Sequence, residues 1–244
     1  MSILDLIYPK RCVGCGVYGA YLCPACFSYI TFTSSGFCAV CQRGAIGGLT
    51  HPACKTSNEI DGVFASVTYA GVVKRLVYQF KYNPYLLDIK HLLVDLFYEG
   101  IIQKEPFVGL LTGGSVFVPI PLHKNRMQQR GYNQSQVLSE GLVERLQKER
   151  LVRGDKSEKS FVIADSLERM KQTRPQFGLS QQGRLENIAG AFAFKSNFAV
   201  DLKNASVVFL VDDIVTTGST FREAARVLKK AGASKVYGLA FAHG

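Results

Sequence analysis

The segment VVFLVDDIVTTGST, residues 207–220, combines two carboxylates, a glycine and a run of hydroxyl side chains. Asp212 and Asp213 can accept hydrogen bonds from the two cis hydroxyls of a ribose and can lie near a Mg²⁺ ion that a ligand brings. Gly218 lets the backbone approach a ligand closely. The hydroxyls belong to Thr216, Thr217, Ser219 and Thr220. A helix that starts here would direct its N–H groups at an anion, so the segment predicts a sugar-phosphate site.

The elements around this segment can be predicted from its hydrophobic pattern. Residues 207–211 are five consecutive apolar residues, which is typical of a strand covered on both faces. Ligands of open parallel sheets bind where such strands end. A Walker-type acidic strand end or an ordinary capped helix is the alternative, but the chain has no GxxxxGK[ST] motif.

The rest of the chain alternates strand and helix patterns. We predict strands at 62–69, 115–118 and 236–242, helices at 72–80, 86–102, 134–148 and 219–231, and an exposed loop at 149–160. This alternation indicates an α/β domain with a mainly parallel sheet, which we place at residues 61–244. The hydrophobic content of 47% is ample for its core.

All seven cysteines lie in the first 54 residues, at regular spacing. They form four CxxC-like pairs with one histidine: Cys12 and Cys15, Cys23 and Cys26, Cys38 and Cys41, His51 and Cys54. Eight ligands satisfy two tetrahedral zinc ions, and the pairing in chain order gives each ion four. His51 lies in a glycine-rich stretch, so a bystander role for it is the alternative. Residues 1–60 are therefore predicted to be a small module that zinc holds together, with closed sites that are not catalytic.

The net charge indicates the kind of partner, and the apolar pattern indicates whether the chain enters a membrane. The net charge is +10, and residues 63–199 alone carry an excess of +7. Such a balance favours phosphate-rich small molecules or nucleic acid, with a solvated basic face as the alternative. The chain has no uncharged apolar stretch of about 18 residues, and its first residues lack the charge layout of a secretory signal. We expect a cytoplasmic protein without membrane insertion.

The string DDIVTTGST, residues 212–220, resembles the signature loop of the type I phosphoribosyltransferases. That resemblance implies the phosphoribosyltransferase fold and the binding of 5-phosphoribosyl 1-pyrophosphate together with Mg²⁺. It also implies a catalytic role for Asp212 and Asp213, which would orient the ribose, and makes residues 216–220 the ribose 5-phosphate loop.

A second segment, VPIPLHKNRMQQRGYNQ at residues 118–134, follows a predicted strand, and we predict that it is a loop rich in cations. A departing pyrophosphate needs cations and backbone N–H groups nearby. We therefore predict the pyrophosphate side of the site at Arg126, Arg130 and Gly131. An exposed basic loop is the alternative.

Taken together, the motifs resemble the ComF family of competence proteins, which are phosphoribosyltransferase-like and begin with a double zinc ribbon. The resemblance rests on the cysteine pairs and on YAGVVKRLVYQFKY, PIPLHKNRMQQRGYNQ, TRPQFGLSQQGRLENIAGAF and VDDIVTTGST. Residues 130–134 match one family hallmark, and Thr173, Gln176, Arg184 and Asn187 match another. The family pattern has cysteine pairs throughout, so His51 departs from it.

Three functions fit these observations. The first is an enzyme that displaces pyrophosphate from the phosphoribosyl ligand by an unidentified acceptor. The second is a module for single-stranded DNA in natural transformation, with a retained phosphoribosyl pocket. The third is a zinc-ribbon scaffold that binds competence or recombination proteins. Interleaved tyrosines and cations favour contact with single-stranded DNA, namely Tyr78, Tyr82, Tyr85 and Tyr132 with Lys74, Arg75, Lys81, Arg126 and Arg130. The alternative is that these tyrosines belong to the core and that the cations bind pyrophosphate.

Overall fold

The computed structural model describes residues 10–82, 89–152, 160–173, 181–195 and 202–244. In chain order the strands are β1 (Gly36–Phe37), β2 (Gly44–Ala45), β3 (Gly62–Thr68), β4 (Val116–Pro119), β5 (Val162–Ile163), β6 (Leu167–Arg169), β7 (Phe192–Phe194), β8 (Val208–Val215) and β9 (Val236–His243). The helices are α1 (Pro24–Phe27), α2 (Gly71–Tyr82), α3 (Ile89–Ile101), α4 (Glu105–Leu110), α5 (Lys124–Arg130), α6 (Gln134–Val152), α7 (Gln181–Ile188) and α8 (Ser219–Lys230).

A parallel sheet of five strands, in the order β3, β9, β8, β4, β5, forms the centre of the fold. Alternate residues of β8 enter two separate hydrophobic clusters, because successive side chains of a strand point to opposite faces. Phe209 and Val211 pack with residues of α2, α3 and α6, whereas Val208 and Leu210 pack with residues of α8. Both faces of the sheet are therefore covered, which explains the unbroken apolar run of β8.

The α/β class with a mainly parallel sheet is confirmed, and most element boundaries agree with the sequence prediction to within a few residues. The described part of the predicted helix at 86–102 is α3, and its first residues lie outside the described residues. Among the described residues, no helix is long and apolar enough to cross a bilayer.

Three sequence predictions of secondary structure are wrong. Helix α6 continues to Val152, so the predicted loop at 149–160 does not begin at Glu149, and residues 153–159 lie outside the described residues. Strand β8 does not end before the two aspartates but continues through them to Val215. The basic segment after β4 is not a loop, because residues 124–130 form α5.

The described part of the N-terminal region contains turns, the short helix α1 and a hairpin in which the two-residue strands β1 and β2 pair antiparallel. It is attached to the sheet domain by ion pairs. Arg222 of α8 donates to both carboxylate oxygens of Glu59, with Nε 2.9 Å from Oε2 and Nη2 2.5 Å from Oε1. Lys229 of the same helix lies 2.8 Å from Asp61. One helix therefore connects the region before β3 to the sheet.

Gly100 allows α3 to pack closely on β3, and we predict that Gly100→Ala destabilises the fold. A Cβ at this position would lie 2.6 Å from Cβ and 2.9 Å from the carbonyl oxygen of Ser66. Overpacking of this kind costs about 1–3 kcal/mol, partly offset by the better helix propensity of alanine. Urea unfolding followed by circular dichroism measures the change.

The matched control is Gly109→Ala, because this helical glycine has open space around its Cβ position. We expect the control to be neutral or to stabilise the protein by up to about 1 kcal/mol. Equal free energies of unfolding for the two variants would contradict the packing argument.

Candidate functional site

A cleft of about 360 Å³ opens at the edge of the sheet where β4 and β8 end. The parallel pairing sets Pro119 opposite Val211, so the residues that follow β4 lie beside the last residues of β8, which include both aspartates. The lining includes the carboxylates of Asp212 and Asp213 and the side chain of Thr216. It also includes five cationic side chains: Lys81, Arg126, Arg130, Arg169 and Arg184. The cleft therefore contains a pair of carboxylates surrounded by cationic side chains.

The two aspartates have different hydrogen-bond and ion-pair partners. Oδ1 of Asp212 accepts hydrogen bonds from Oγ of Ser135 and from the backbone N–H of Asp213, both at 2.9 Å. Oδ2 of Asp213 pairs with Nζ of Lys81 at 2.5 Å. Burial and the charge of Asp213 raise the pKa of Asp212 to about 7. A bound cation would stabilise the ionised form of this carboxylate, since opposite charges favour ionisation.

The loop before α8 has the backbone geometry of an anion site. Gly218 precedes the helix in a left-handed conformation, with φ of 72°, and supplies no side-chain cap. An uncapped helix start presents backbone N–H groups to an acceptor, and the helix dipole favours negative charge there. Arg184 donates from Nη1 to Oγ1 of Thr216 at 2.7 Å, and the hydroxyls of Thr217 and Ser219 lie 3.3 Å apart. A cation and several hydroxyls thus surround the start of α8.

Helix α5 brings two of the predicted pyrophosphate residues to the cleft. Nδ1 of His123 accepts from the backbone N–H of Asn125 at 3.3 Å and caps the helix. Arg126 donates to the carbonyl oxygen of Thr173 at 3.3 Å, and Arg130 lies over the ring of Tyr82 at 5.5 Å. Gly131 ends the helix, with φ of 77°. The structure therefore gives Gly131 a role in the backbone turn and places the two arginines in the lining.

Two lining residues, Lys81 and Gln134, were not predicted to belong to this site. Lys81 is an ordinary helix-face cation by sequence, yet it faces Asp213. Gln134 is only 2% exposed and its Nε2 has no hydrogen-bond partner in the described structure. It was identified only through the family hallmark at 130–134. A buried amide without a partner costs free energy, which favours a ligand that satisfies it.

The second family hallmark is only partly described. Thr173 is buried and accepts a hydrogen bond from Nη2 of Arg169 at 2.5 Å. Burial lowers the pKa of Arg169, and the nearby charge of Arg126 acts in the same direction. Gln176 lies outside the described residues.

The first four cysteines form a cluster whose geometry fits zinc. Their sulfur atoms all lie within 4.8 Å of one another, and those of Cys15 and Cys23 are 3.6 Å apart. Zinc–sulfur bonds of about 2.3 Å in a tetrahedron place neighbouring sulfurs about 3.8 Å apart. The N–H of Cys23 donates to the sulfur of Cys12, and that of Cys26 to the sulfur of Cys23, both at 3.4 Å. Such bonds orient thiolate ligands around a metal.

The second cluster consists of Cys38, Cys41, His51 and Cys54, again within 4.8 Å. Nδ1 of His51 lies 3.3 Å from the sulfur of Cys41, and Nε2 lies 3.0 Å from the carbonyl oxygen of Gly44. Because that oxygen can only accept, Nε2 carries the proton and Nδ1 is left as a metal ligand. A hydrogen bond from Arg43 lowers the pKa of Cys41 to about 6, which favours the thiolate. The geometry argues against the bystander alternative for His51.

Comparison with known proteins agrees with these features. A family model described as a double zinc ribbon domain matches residues 3–55. Competence protein F of Haemophilus influenzae is 35% identical over 171 residues, which cover 68% of this chain and 66% of that protein. The DNA utilization protein YhgH of Escherichia coli O6:H1 is 26% identical over 88% of this chain and 93% of its own length. Competence protein ComFC of Streptococcus pneumoniae is 33% identical over 49% of this chain and 44% of its own.

We predict about two zinc ions per chain in the purified protein and about one in His51→Ala after a brief chelator challenge. Removal of one of four ligands opens the second site to the chelator, whereas the first site keeps its four cysteines. Metal content is measured by mass spectrometry.

The control is His91→Ala, since His91 lies exposed on α3, and it should keep both ions. A wild-type content near zero, or two ions retained by His51→Ala under the same challenge, would rule out this ligand assignment.

Proposed function

The chain belongs to the ComF family of competence proteins, and we propose that it binds 5-phosphoribosyl 1-pyrophosphate with Mg²⁺ in the cleft at the ends of β4 and β8. The observation that carries the proposal is one cleft that joins an acidic pair, an uncapped helix start and five cations. Its volume of about 360 Å³ lies in the range of small-molecule sites.

The ribose 5-phosphate half of the ligand would occupy the loop side of the cleft. The 5-phosphate fits the start of α8, where backbone N–H groups and hydroxyls provide donors. Asp212 and Asp213 would accept from the ribose hydroxyls. Ser135 orients Asp212 through its hydrogen bond at 2.9 Å.

The pyrophosphate half would face Arg126 and Arg130 of α5. A guanidinium group can bind two phosphate oxygens at once through paired hydrogen bonds. Mg²⁺, when bound, would supply positive charge to the pyrophosphate oxygens. Lys81 compensates Asp213 across the cleft. Its ion pair keeps the acidic pair from carrying two unbalanced charges.

A transfer reaction at this site would be a displacement at the anomeric carbon. An acceptor would form a bond to this carbon while the bond to pyrophosphate breaks and the electron pair leaves with the pyrophosphate. The arginines would stabilise the charge that develops on the leaving group. The alternative is a pocket that binds the ligand without turnover.

We further propose a role in DNA uptake, which the names of the relatives support, with single-stranded DNA as a direct partner. The supporting observation is a surface of exposed aromatic rings and cations on α2. Tyr78 and Tyr82 are 59% and 55% exposed, with ring centroids 4.8 Å apart, and Arg130 lies over Tyr82. Bases stack on such rings while cations follow the phosphates.

The aromatic surface continues towards the first zinc cluster. Arg75 of α2 donates to the carbonyl oxygen of Gly14, and Arg11 lies 4.3 Å from the ring of Tyr18, which is 58% exposed. Tyr132 does not belong to this surface, because it packs edge-on against Phe80 and burial raises its pKa to about 12. Tyr85 lies outside the described residues.

A scaffold that binds competence or recombination proteins is the third candidate function.

We predict that Asp212→Asn and Asp213→Asn each weaken Mg²⁺-dependent binding of phosphoribosyl pyrophosphate by about ten- to a hundredfold. Each change removes a charge-assisted hydrogen bond of roughly 1.5–3 kcal/mol. Titration calorimetry with and without EDTA measures the affinity, and pyrophosphate release with candidate acceptors separates an enzyme from a binding pocket.

Asp165→Asn is the control, since this aspartate is exposed and pairs with Lys195 away from the cleft. Wild-type affinity in the Asp212→Asn, Asp213→Asn double variant would refute the site.

We also predict weak, sequence-tolerant binding of single-stranded DNA that falls tenfold or more in the Tyr78→Ala, Tyr82→Ala double variant. Stacking contributes about 1–3 kcal/mol per base. Log affinity should fall linearly with log salt, with a slope of about 0.7 per neutralised phosphate. Fluorescence anisotropy with a labelled oligonucleotide measures both.

The control is Tyr78→Phe with Tyr82→Phe, which keeps the rings and should keep the affinity. Absence of binding at low salt would refute single-stranded DNA as a partner. Competition by phosphoribosyl pyrophosphate would place the DNA in the cleft instead of on α2.

A further inference from the structure

The second zinc ribbon, residues 36–54, lies directly against the loop at 216–220. Nε2 of Gln42 donates to the carbonyl oxygen of Thr217 at 2.8 Å and to that of Ala39 at 2.8 Å. Gln42 immediately follows the zinc ligand Cys41. One amide therefore connects the turn at a metal site to the loop of the proposed ligand site.

The backbone of the turn fixes where this amide points. Among the described residues, Gln42 is the only residue other than glycine with a positive φ, at 64°. Its N–H donates to the carbonyl oxygen of Cys38 at 2.8 Å, and the N–H of Cys38 donates to that of Arg43 at 2.9 Å. A left-handed conformation costs a residue with a Cβ roughly 1–2 kcal/mol, so the turn must hold it in place. Zinc bound by Cys38 and Cys41 would supply that restraint.

Two further contacts hold the ribbon in place, the first on the same loop and the second on β9. A Cβ on Gly218 would lie 2.9 Å from Cβ of Ala39, so the loop and the ribbon approach as closely as a glycine allows. The ring of Phe37 stacks on that of His243, with centroids 4.5 Å apart and an angle of 6°. The Gly218 position is thus constrained by its own φ and by Ala39.

We propose that Gln42 is a positioning residue for the phosphate-binding loop, through which the second zinc site sets the affinity of the cleft for its ligand. In a trans peptide the C=O and the following N–H point in opposite directions. Because Gln42 holds the carbonyl of Thr217 on the ribbon side, the N–H of Gly218 is directed away from the ribbon. The identity of the ligand rests on the proposed function, whereas the restraint on the loop does not.

The experiment compares wild type, Gln42→Met and Ile46→Ala, each shown to keep its full zinc content. Methionine keeps the length of the side chain but has no donor, and Ile46 is 93% exposed on the same ribbon. Calorimetry gives the affinity for Mg²⁺ and phosphoribosyl pyrophosphate, and amide exchange of the peptide that covers residues 216–220 gives the order of the loop without ligand. We expect Gln42→Met to bind about three- to tenfold more weakly and to exchange faster, and Ile46→Ala to match wild type.

Each outcome decides between the two proposals. Equal affinity and equal exchange in wild type and Gln42→Met overturn the positioning role and leave the ligand proposal standing. A wild type that does not bind the ligand refutes the proposed function, and amide exchange alone then decides whether Gln42 orders the loop. If Gln42→Met loses zinc, Gln42→Asn gives the same comparison, because asparagine tolerates the left-handed conformation and its amide is one methylene too short.

Discussion

The parallel pairing of β4 with β8 is the constraint on which the rest of the cleft depends. It brings the end of one strand beside the middle of the other, with Pro119 opposite Val211. Helix α5 then starts beside the two aspartates, and its arginines reach the cleft. A shift of this register by one residue would turn Asp212 and Asp213 to the opposite faces. The register of β8 against β4 therefore also fixes the chemistry at the end of β8.

The two carboxylates of the acidic pair are compensated to different degrees by the groups around them. Asp213 has a lysine at 2.5 Å, whereas Asp212 has a hydroxyl and a backbone N–H and a pKa raised to about 7. A pair that is half compensated by protein groups still favours an added cation. This is the electrostatic condition under which a divalent ion that arrives with an anionic ligand would bind at the aspartates, while the arginines face the anion.

The sequence was informative where local chemistry decides the structure and uninformative where the tertiary fold does. Three features depend on residues that are close together in the chain, and the sequence predicted them. They are the buried strand β8, the loop that follows the two aspartates, and the two cysteine clusters. Lys81 and Ser135 face the aspartates only because α2 and α6 pack on one face of the sheet. The segment at 124–130 looked like a loop because it has no apolar face, yet His123 and Gly131 cap it as a helix.

The zinc ribbons illustrate how a module that cannot fold on hydrophobic burial can still shape a neighbouring site. Their short strands and turns bury little apolar surface, so a metal must supply much of their folding free energy. The second ribbon touches the loop before α8 through Gln42, and Glu59, which lies between that ribbon and β3, forms an ion pair with Arg222 of the same helix. The loop is restrained at Thr217 by Gln42, and the helix that follows it is restrained at Arg222 by Glu59. These two contacts limit the conformations of the loop. A loop ordered before its ligand arrives loses less entropy on binding, so a metal remote from the ligand can still strengthen its binding.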